Sequence, residues 1–306
     1  MSISGRDIIT LENLSDGEIL QIFETADKFE PVARGKEKSD VLEGKIIGAL
    51  FFEPSTRTRL SFKSAAKRLG GGTIGFAEAG VSSTAKGESL ADTVRTVENY
   101  CDAIILRHPK MGSAKFAAEM VEVPVINAGD GAGHHPTQTL LDLYTMRKAT
   151  GDLEHFDLGL VGDLKYGRTV HSLAYAITRF IPKLFLISPP SLKMPSEIVG
   201  DLSDRGVEVV ETSNLEAILP ELDILYVTRI QKERFPDPAE YEEIKGTYRV
   251  DPELLQEAKP ELSVLHPLPR VDEISPEVDS TPYSMYFDQV FNGVIVRMAL
   301  LSMLIG

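Results

Sequence analysis

The fold of this chain is constrained most by a regular alternation of short apolar segments with helical patterns, which runs through both halves of the sequence. The apolar segments are continuous, and strands of that kind lie in parallel sheets that helices cover on both faces. The predicted strands span residues 45–52, 73–76, 103–106, 123–127, 158–161, 184–187, 208–210, 224–227 and 263–265. The predicted helices span residues 14–29, 55–69, 88–100, 113–120, 137–150, 169–180, 196–205, 215–219, 252–257 and 283–305. The sequence therefore predicts an α/β protein with two doubly wound parallel-sheet domains, a cleft between them, and linking helices.

At 306 residues the chain is long enough for two domains with separate cores. We expect the first domain to comprise residues 1–136 together with a C-terminal helix at about 288–306, and the second to comprise residues 137–287. In doubly wound domains, ligands bind at the carboxyl ends of the strands. Candidate site residues should therefore follow the predicted strands directly.

Composition disfavours several classes of protein. The net charge of −14 makes nucleic acid an improbable partner. The single cysteine, Cys101, cannot form an internal disulfide, which fits a reducing compartment. The N-terminus lacks a basic and then apolar signal, and no apolar run approaches the length of a membrane span. We therefore expect a soluble, cytoplasmic protein that binds neither nucleic acid nor a membrane.

The segment Ser55-Thr56-Arg57-Thr58-Arg59 lies where an apolar run passes into a helical pattern. Ser55 is a favourable N-cap residue, and the first N–H groups of a helix have no partner within it. These N–H groups and the positive end of the helix dipole attract anions, and the hydroxyl and guanidinium groups add donors. Since the Gly-rich pattern of a nucleotide loop is absent, we predict a small phosphorylated ligand. An ordinary capped helix with a solvated basic first turn is the alternative.

Polar motifs follow five of the predicted strands. They are Arg107-His108-Pro109, His135-Pro136-Thr137-Gln138, Asp163-Leu164-Lys165-Tyr166-Gly167-Arg168-Thr169, Thr228-Arg229-Ile230-Gln231 and His266-Pro267-Leu268-Pro269-Arg270. Any one of them could be a solvated surface charge, but five at strand ends are hard to explain that way. Arginine pairs bind carboxylates through parallel hydrogen bonds, so Arg168 and Arg229 favour a dicarboxylate.

The loop 129–134 fails the dinucleotide fingerprint because His134 occupies the position of its last small residue. This mismatch disfavours a nicotinamide dehydrogenase.

With the segment 52–58 and the loop Lys86-Gly87-Glu88, these motifs resemble the aspartate/ornithine carbamoyltransferase family over essentially the whole chain. The resemblance is to the aspartate branch, because ornithine enzymes carry His-Cys-Leu-Pro where this chain has His266-Pro267-Leu268-Pro269. It implies transfer of the carbamoyl group of carbamoyl phosphate to the amine of L-aspartate, giving N-carbamoyl-L-aspartate and phosphate, the committed step of de novo pyrimidine (UMP) biosynthesis. It implies no metal, no cofactor and no covalent enzyme intermediate. Transfer to another amine such as ornithine, and a non-catalytic anion-binding scaffold, are the alternatives.

The resemblance also implies a role for each candidate residue. Carbamoyl phosphate would bind Ser55, Thr56, Arg57, Thr58, Ser82, Lys86, Arg107, His135, Gln138, Leu268 and Pro269. Aspartate would bind Lys86, Arg168, Arg229 and Gln231, and the catalytic set would be Arg57, Thr58, Lys86, Arg107 and His135. The first domain would then bind carbamoyl phosphate and the second aspartate. For His135, a histidine that satisfies a helix N-terminus is the alternative.

The segment 80–88 has the small residues of a surface loop. In the family, the residues equivalent to Ser82 and Lys86 reach the phosphate site of a neighbouring subunit. The resemblance therefore implies a homotrimer with shared active sites, and Ser83 stays an alternative to Ser82. Family members work either as free trimers or bound to regulatory chains, and no motif decides between these two states.

Overall fold

The computed structural model describes residues 3–78, 87–131, 133–230 and 246–306. The chain divides into two units: unit 1 comprises Met1–Tyr144 and Val290–Gly306, and unit 2 comprises Thr145–Gln289. The division between Tyr144 and Thr145 falls inside the helix Pro136–Thr150. The boundary expected from the sequence, between residues 136 and 137, lies earlier, at the start of that helix.

Unit 1 is built on four parallel strands. They are β1 (Ile46–Phe51), β2 (Gly72–Phe76), β3 (Ala103–His108) and β4 (Val125–Asp130), in the order β2-β1-β3-β4. Its helices are α1 (Asp16–Ala33), α2 (Thr56–Arg68), α3 (Leu90–Glu98), α4 (Ser113–Ala118) and the first part of α5 (Pro136–Thr150), with a 3-10 helix at Leu11–Asn13. Helix α2 buries Phe62, Ala65 and Ala66, whose spacing of three and four residues places them on one face of the helix. Every residue of β4 is buried, and β1 and β3 are buried except for one terminal residue each.

Unit 2 is built on five parallel strands. They are β5 (Leu158–Val161), β6 (Lys183–Ile187), β7 (Glu208–Thr212), β8 (Ile224–Val227) and β9 (Ser263–Leu265), in the order β7-β6-β5-β8-β9. Its helices are α6 (Arg168–Ile177), α7 (Ser196–Asp204) and α8 (Leu215–Ile218), with 3-10 helices at Pro190–Leu192, Leu219–Glu221, Leu254–Glu257 and Pro276–Ser280. The last helix, α9 (Tyr286–Ile305), begins in unit 2 and continues into unit 1.

The predicted α/β class with two parallel sheets is confirmed, and each predicted strand is present. The predicted α-helix at 252–257 is wrong in type, because this segment forms the 3-10 helix Leu254–Glu257. Asp251 Oδ1 accepts hydrogen bonds from the N–H groups of Glu253 and Leu254, at 3.1 and 3.0 Å. Pro260 also disfavours a helical conformation at Lys259. These two constraints leave room for a single tight turn.

Helix α9 is long and apolar enough to cross a membrane when judged by length and composition alone. The expectation that no apolar run approaches a span was therefore wrong for this segment. However, 61% of its most apolar window is buried inside the protein, which is typical of a core helix. No second helix in the described part of the chain meets the same criteria.

Candidate active site

The first candidate feature is the N-terminus of α2, at the carboxyl end of β1. Ser55 occupies the N-cap position in an extended conformation, as predicted, but among the described residues its side chain makes no capping hydrogen bond. The first turn that follows consists of Thr56, Arg57 and Thr58, and the side chains of Thr56 and Arg57 are exposed. Basic residues oppose the helix dipole at this end. The arrangement is therefore suited to an anion that would bind the first N–H groups of the helix.

Arg107 adds a second positive charge from the neighbouring strand. It lies on β3 opposite Phe51 of β1 and is buried. Its guanidinium donates to Glu53 Oε1 at 3.0 Å and to the carbonyl of Ala128 at 3.1 Å, while its buried Nε has no hydrogen-bond partner among the described residues. Desolvation, together with repulsion from Arg107, lowers the pKa of Arg57. The two arginines are thus close enough to repel, which a shared anionic ligand would relieve.

The loop between β4 and α5 holds the third component. Gly129 has a φ of +115°, and a Cβ atom there would lie 2.7 Å from Arg107 Nη1 and 3.5 Å from His135 Cδ2. The missing side chain of Gly129 therefore lets the Arg107 guanidinium and the His135 ring lie beside the same stretch of backbone. By its sequence this loop was only a failed dinucleotide motif, so its place beside Arg107 and His135 was not predicted.

Two buried polar side chains, which the sequence did not reveal, fix the same loop. Asp130 accepts hydrogen bonds from the N–H groups of Gly112 and His134, both at 2.8 Å. Asn127 Oδ1 accepts from the N–H of Gly129 at 2.8 Å. Because buried polar groups are satisfied only in one geometry, this network fixes the backbone that leads to His135. His134 itself is exposed.

We predict that Gly129→Ala weakens binding of carbamoyl phosphate, the substrate implied by the resemblance. The new methyl group would displace the Arg107 guanidinium, and a misplacement of about 1 Å can cost roughly 10²-fold in rate. Isothermal titration and kcat/KM would measure the loss. Gly151→Ala is the matched control, since Gly151 also has a positive φ of +93° but its Cβ would meet no atom within 4 Å. Equal effects of the two substitutions would contradict the prediction.

Helix α5 begins directly after His135. The backbone carbonyl of His135 accepts from the N–H groups of Gln138 and Thr139, at 2.9 and 3.2 Å, so the backbone rather than the imidazole satisfies these two N–H groups. The amide nitrogen of Gln138 donates to Asp142 Oδ1 at 2.9 Å. This bond turns the amide oxygen of Gln138 away from Asp142, and an amide oxygen is the acceptor that a carbamoyl NH2 group would require.

Unit 2 carries its own cluster of candidate residues at three adjacent strand ends. Val161 of β5 lies opposite Val227 of β8, and Tyr226 lies opposite Leu265 of β9. The segments that follow these strands contain Arg168, Arg229, Leu268 and Pro269. Arg168 is the first residue of α6, so a cation again occupies a helix N-terminus, and both arginines are half-buried. A pocket at these ends is lined by residues that include Gly162, Thr228, Ile230 and Tyr248.

A hydrogen-bond chain shapes the segment after β9. The N–H of Leu268, which has a φ of +56°, donates to His266 Nδ1 at 2.8 Å. The other ring nitrogen, Nε2, lies 2.7 Å from Glu273 Oε1, and both residues are buried. Because Nδ1 accepts, the ring proton belongs on Nε2 and is donated to the carboxylate. Glu273 Oε2 accepts from the N–H groups of Val271 and Asp272, both at 3.1 Å.

This chain predicts a pH-dependent contribution to stability. Burial alone would raise the pKa of Glu273, but hydrogen bonds from His266 and from backbone N–H groups outweigh it and lower the pKa below 4.5. The stabilisation is therefore complete above the unfolded-state pKa and is lost as the pH falls through the lower folded-state value. At pH 7 we expect Glu273→Gln to reduce the free energy of unfolding by about 2 kcal/mol.

Urea unfolding at several pH values tests this expectation. The difference between the parent and Glu273→Gln should shrink as the pH falls below about 4.5, where the carboxylate becomes protonated. Glu216→Gln is the control, since Glu216 is exposed on α8 of the same unit. If the difference in unfolding free energy between the parent and Glu273→Gln stays constant from neutral to acid pH, the charge of Glu273 does not contribute to stability and the prediction is wrong.

Some residues of the predicted motifs either have a structural role or lie outside the described part of the chain. Arg270, which belongs to the same motif as Leu268, is held by Asp279 and donates to Tyr286 Oη at 3.0 Å, so it stabilises unit 2 structurally. Three predicted site residues, Ser82, Lys86 and Gln231, lie outside the described residues, as does the alternative Ser83. In unit 1 the structure brings Arg57, Arg107 and the His135 loop close together. The other predicted residues of unit 1 lie in the same two segments as Arg57 and His135; they are Ser55, Thr56, Thr58 and Gln138. In unit 2 the predicted residues follow adjacent strands; they are Arg168, Arg229, Leu268 and Pro269.

The fold and these clusters define a two-unit α/β protein with a cluster of arginine-containing segments at the strand ends of each parallel sheet. Residues 6–148 match the carbamoyl-P binding domain of aspartate/ornithine carbamoyltransferase, and residues 154–304 match its Asp/Orn binding domain. The chain belongs to the aspartate/ornithine carbamoyltransferase family.

Individual relatives narrow the comparison to one branch. The chain is 58% identical over 300 residues to the aspartate carbamoyltransferase catalytic subunit of Methanothrix thermoacetophila, covering 98% of each chain. It is 56% identical to the subunit of the same name from Thermococcus gammatolerans, covering 100% of this chain and 99% of that one. Among solved structures, aspartate transcarbamoylase from Trypanosoma cruzi in complex with carbamoyl phosphate and aspartate superposes with a TM-score of 0.93, at 37% identity over 99% of this chain and 98% of that one.

Proposed function

We propose that this chain catalyses attack of the L-aspartate amine on the carbonyl carbon of carbamoyl phosphate, giving N-carbamoyl-L-aspartate and phosphate, the first committed reaction of pyrimidine synthesis. One observation carries the proposal: the N-terminus of α2, with Arg57, lies beside Arg107 and the His135 loop at the carboxyl ends of β1, β3 and β4. That arrangement suits a small phosphorylated substrate. The curated relatives that match the whole chain are aspartate carbamoyltransferase catalytic subunits.

Each half of the first substrate has its own partners in this proposal. Ser55, Thr56, Arg57 and Thr58 bind the phosphate through side chains and helix N–H groups, with Arg107 adding charge. Thr58, Arg107 and His135 donate to the carbamoyl oxygen, where negative charge develops on attack. Gln138 and the carbonyl groups of Leu268 and Pro269 accept hydrogen bonds from the carbamoyl NH2. These roles are supported by the α2 N-terminus, by the orientation of Gln138, and by the Nε of Arg107, which has no hydrogen-bond partner within the described ranges.

Arg168 and Arg229 bind the two carboxylates of aspartate, with Gln231 and Lys86 as further partners. Their positions after adjacent strands β5 and β8 support the pairing of the two arginines. The chemistry needs no covalent intermediate, metal or cofactor. Much of the rate would come from holding two anions, which otherwise repel, in a reactive orientation.

We further propose that the enzyme is a cytoplasmic homotrimer, with or without regulatory chains, in which Ser82 and Lys86 complete the site of a neighbouring subunit. Mixing Lys86→Ala chains with Arg57→Ala chains tests the sharing. If sites are shared, hybrid trimers contain sites with neither substitution and recover activity. Hybrids of the expected mass that stay inactive would overturn the proposal.

The reaction is tested by measuring phosphate release from carbamoyl phosphate with L-aspartate and, in parallel, with L-ornithine. Release with aspartate alone, accompanied by a ureido product, is the expected result. Release with ornithine would assign the second substrate to the other branch of the family. No release with either amine, together with intact binding of carbamoyl phosphate, would favour an anion-binding scaffold.

A further inference from the structure

Arg297 is a buried cation in α9, outside the motifs that sequence analysis selected. It is 3% exposed. Its Nη2 donates to Thr137 Oγ1 and its Nη1 to the carbonyl of Gly293, both at 3.2 Å. The guanidinium carbon lies 4.9 Å from the centroid of the Phe62 ring. Its Nε is buried and has no hydrogen-bond partner in the described part of the chain.

Burying this guanidinium is costly. Desolvation lowers the pKa of Arg297 to about 10, with the charge of Asp142 opposing the shift, so the side chain is still protonated at neutral pH. A buried charge with incomplete hydrogen bonding is often less stabilising than an apolar residue of the same size. The charge at position 297 therefore calls for a reason other than stability of the fold.

A second observation shows that the structure makes room for this side chain. Gly293 lies one helical turn before Arg297, and a Cβ atom on Gly293 would lie 2.7 Å from Arg297 Nη1. Glycine within a helix is unfavourable by roughly 1 kcal/mol relative to alanine. Glycine at position 293 therefore leaves space for the Arg297 guanidinium, although it stabilises the helix less than alanine would.

Arg297 contacts two parts of the cluster that we call the phosphate cluster of unit 1, namely helix α2 and the turn from His135 to Gln138. The members of this cluster are Thr56, Arg57, Thr58, Arg107, His135 and Gln138. Phe62 lies in α2, the helix whose N-terminus carries Thr56, Arg57 and Thr58. Thr137 lies between His135 and Gln138. We infer that Arg297 is a positioning residue for carbamoyl phosphate: it fixes the His135–Gln138 turn relative to α2 without touching the substrate. The inference rests on the proposed function of this cluster.

Two substitutions remove the same contact from opposite ends. Arg297→Met keeps the length of the side chain without its charge, and Thr137→Val keeps the shape of threonine without its hydroxyl. We expect each to raise the KM for carbamoyl phosphate about tenfold, the usual effect of losing one hydrogen bond to a charged group, while the KM for aspartate changes little. Because both substitutions remove the same contact, the KM of the double variant for carbamoyl phosphate should not exceed the higher of the two single-variant values. Arg297→Lys should recover part of the loss.

Leu300→Ala is the matched control, because Leu300 is fully buried in the same helix but makes none of these contacts. It should lower the melting temperature and leave the KM for carbamoyl phosphate unchanged. The inference is overturned if Arg297→Met behaves like Leu300→Ala, or if the effects of Arg297→Met and Thr137→Val multiply. Titration with inorganic phosphate separates this failure from failure of the proposed function, since the parent protein would bind phosphate more tightly than Arg297→Met even if it made no ureido product.

Discussion

Replacing Arg107 by alanine should lower kcat by about 10²–10³-fold, the loss that follows removal of one donor to a developing oxyanion. Arg107 is buried on β3, where its guanidinium lies beside Gly129 and contributes to the shifted pKa of Arg57. The substitution removes both the charge and a donor placed where the carbamoyl oxygen is expected. Steady-state kinetics with saturating aspartate would measure the effect. Arg107→Lys should recover little, because lysine lacks the planar fork of donors.

The Arg107 substitution has a side effect that a second variant separates. Glu53 Oε1 accepts from Arg107 at 3.0 Å, so Arg107→Ala leaves a carboxylate without this partner near the phosphate cluster. Part of the loss of activity in Arg107→Ala would then come from repulsion between the Glu53 carboxylate and the anionic substrate. Adding Glu53→Gln should restore binding of carbamoyl phosphate while kcat stays low. A kcat that returns with Glu53→Gln would mean that Arg107 only neutralises Glu53.

Arg95→Ala is the matched control for the change of charge in unit 1. Arg95 is exposed in the last turn of α3, the helix that leads into β3, and so lies toward the opposite end of the strands. We expect its kinetic constants to stay within about twofold of the parent, as for most substitutions of exposed residues. A comparable loss in both variants would assign the effect of Arg107 to net charge alone.

Replacing Arg229 by alanine should raise the KM for aspartate about 10- to 10²-fold. The expected cost is that of one hydrogen-bonded charge pair, about 1.5–3 kcal/mol, and Arg168→Ala should behave alike. Binding of carbamoyl phosphate, measured without aspartate, should change little. Initial rates over a wide aspartate range would give the two constants, and succinate, a dicarboxylate without the amine, should lose affinity in parallel.

The matched control in unit 2 is Arg205→Ala, since Arg205 is exposed after α7 and lies at the start of β7 rather than at its carboxyl end. It removes the same charge from the same unit. If Arg205→Ala raised the aspartate KM as much as Arg229→Ala did, long-range attraction rather than a direct clamp would explain both. A normal aspartate KM in Arg229→Ala would require a different pair of residues for the dicarboxylate.

Much of the architecture could be predicted because burial imposes a simple pattern on strands. Segments such as 158–161 and 224–227 are continuously apolar and are strands at those bounds. The α2 N-terminus was also predictable, since a cap residue followed by basic residues is recognisable locally. Whether Ser82, Lys86 and Gln231 take part stays a prediction, because they lie outside the described residues.

The remaining site residues depend on contacts between distant segments. Arg297 is a single charge in an apolar helical pattern, and its contact with Thr137 spans 160 positions of the chain. Glu273 gives no local signal that it orients His266, since both residue types are common on surfaces. Asp130 was within a motif that sequence analysis considered, but its hydrogen bonds to Gly112 and His134 appear only once β3 and β4 are paired.

The division of the chain has a consequence for its synthesis. Unit 2 is one continuous segment, whereas unit 1 needs Val290–Gly306, and the N–H of Gly5 donates to the carbonyl of Leu304 at 3.0 Å. A ribosome makes this segment only after the whole of unit 2. The core around β1–β4 therefore stays partly uncovered until Val290–Gly306 has been made, while unit 2 can fold before it. Chaperones that shield nascent apolar surface would meet the amino-terminal half of this protein for longest.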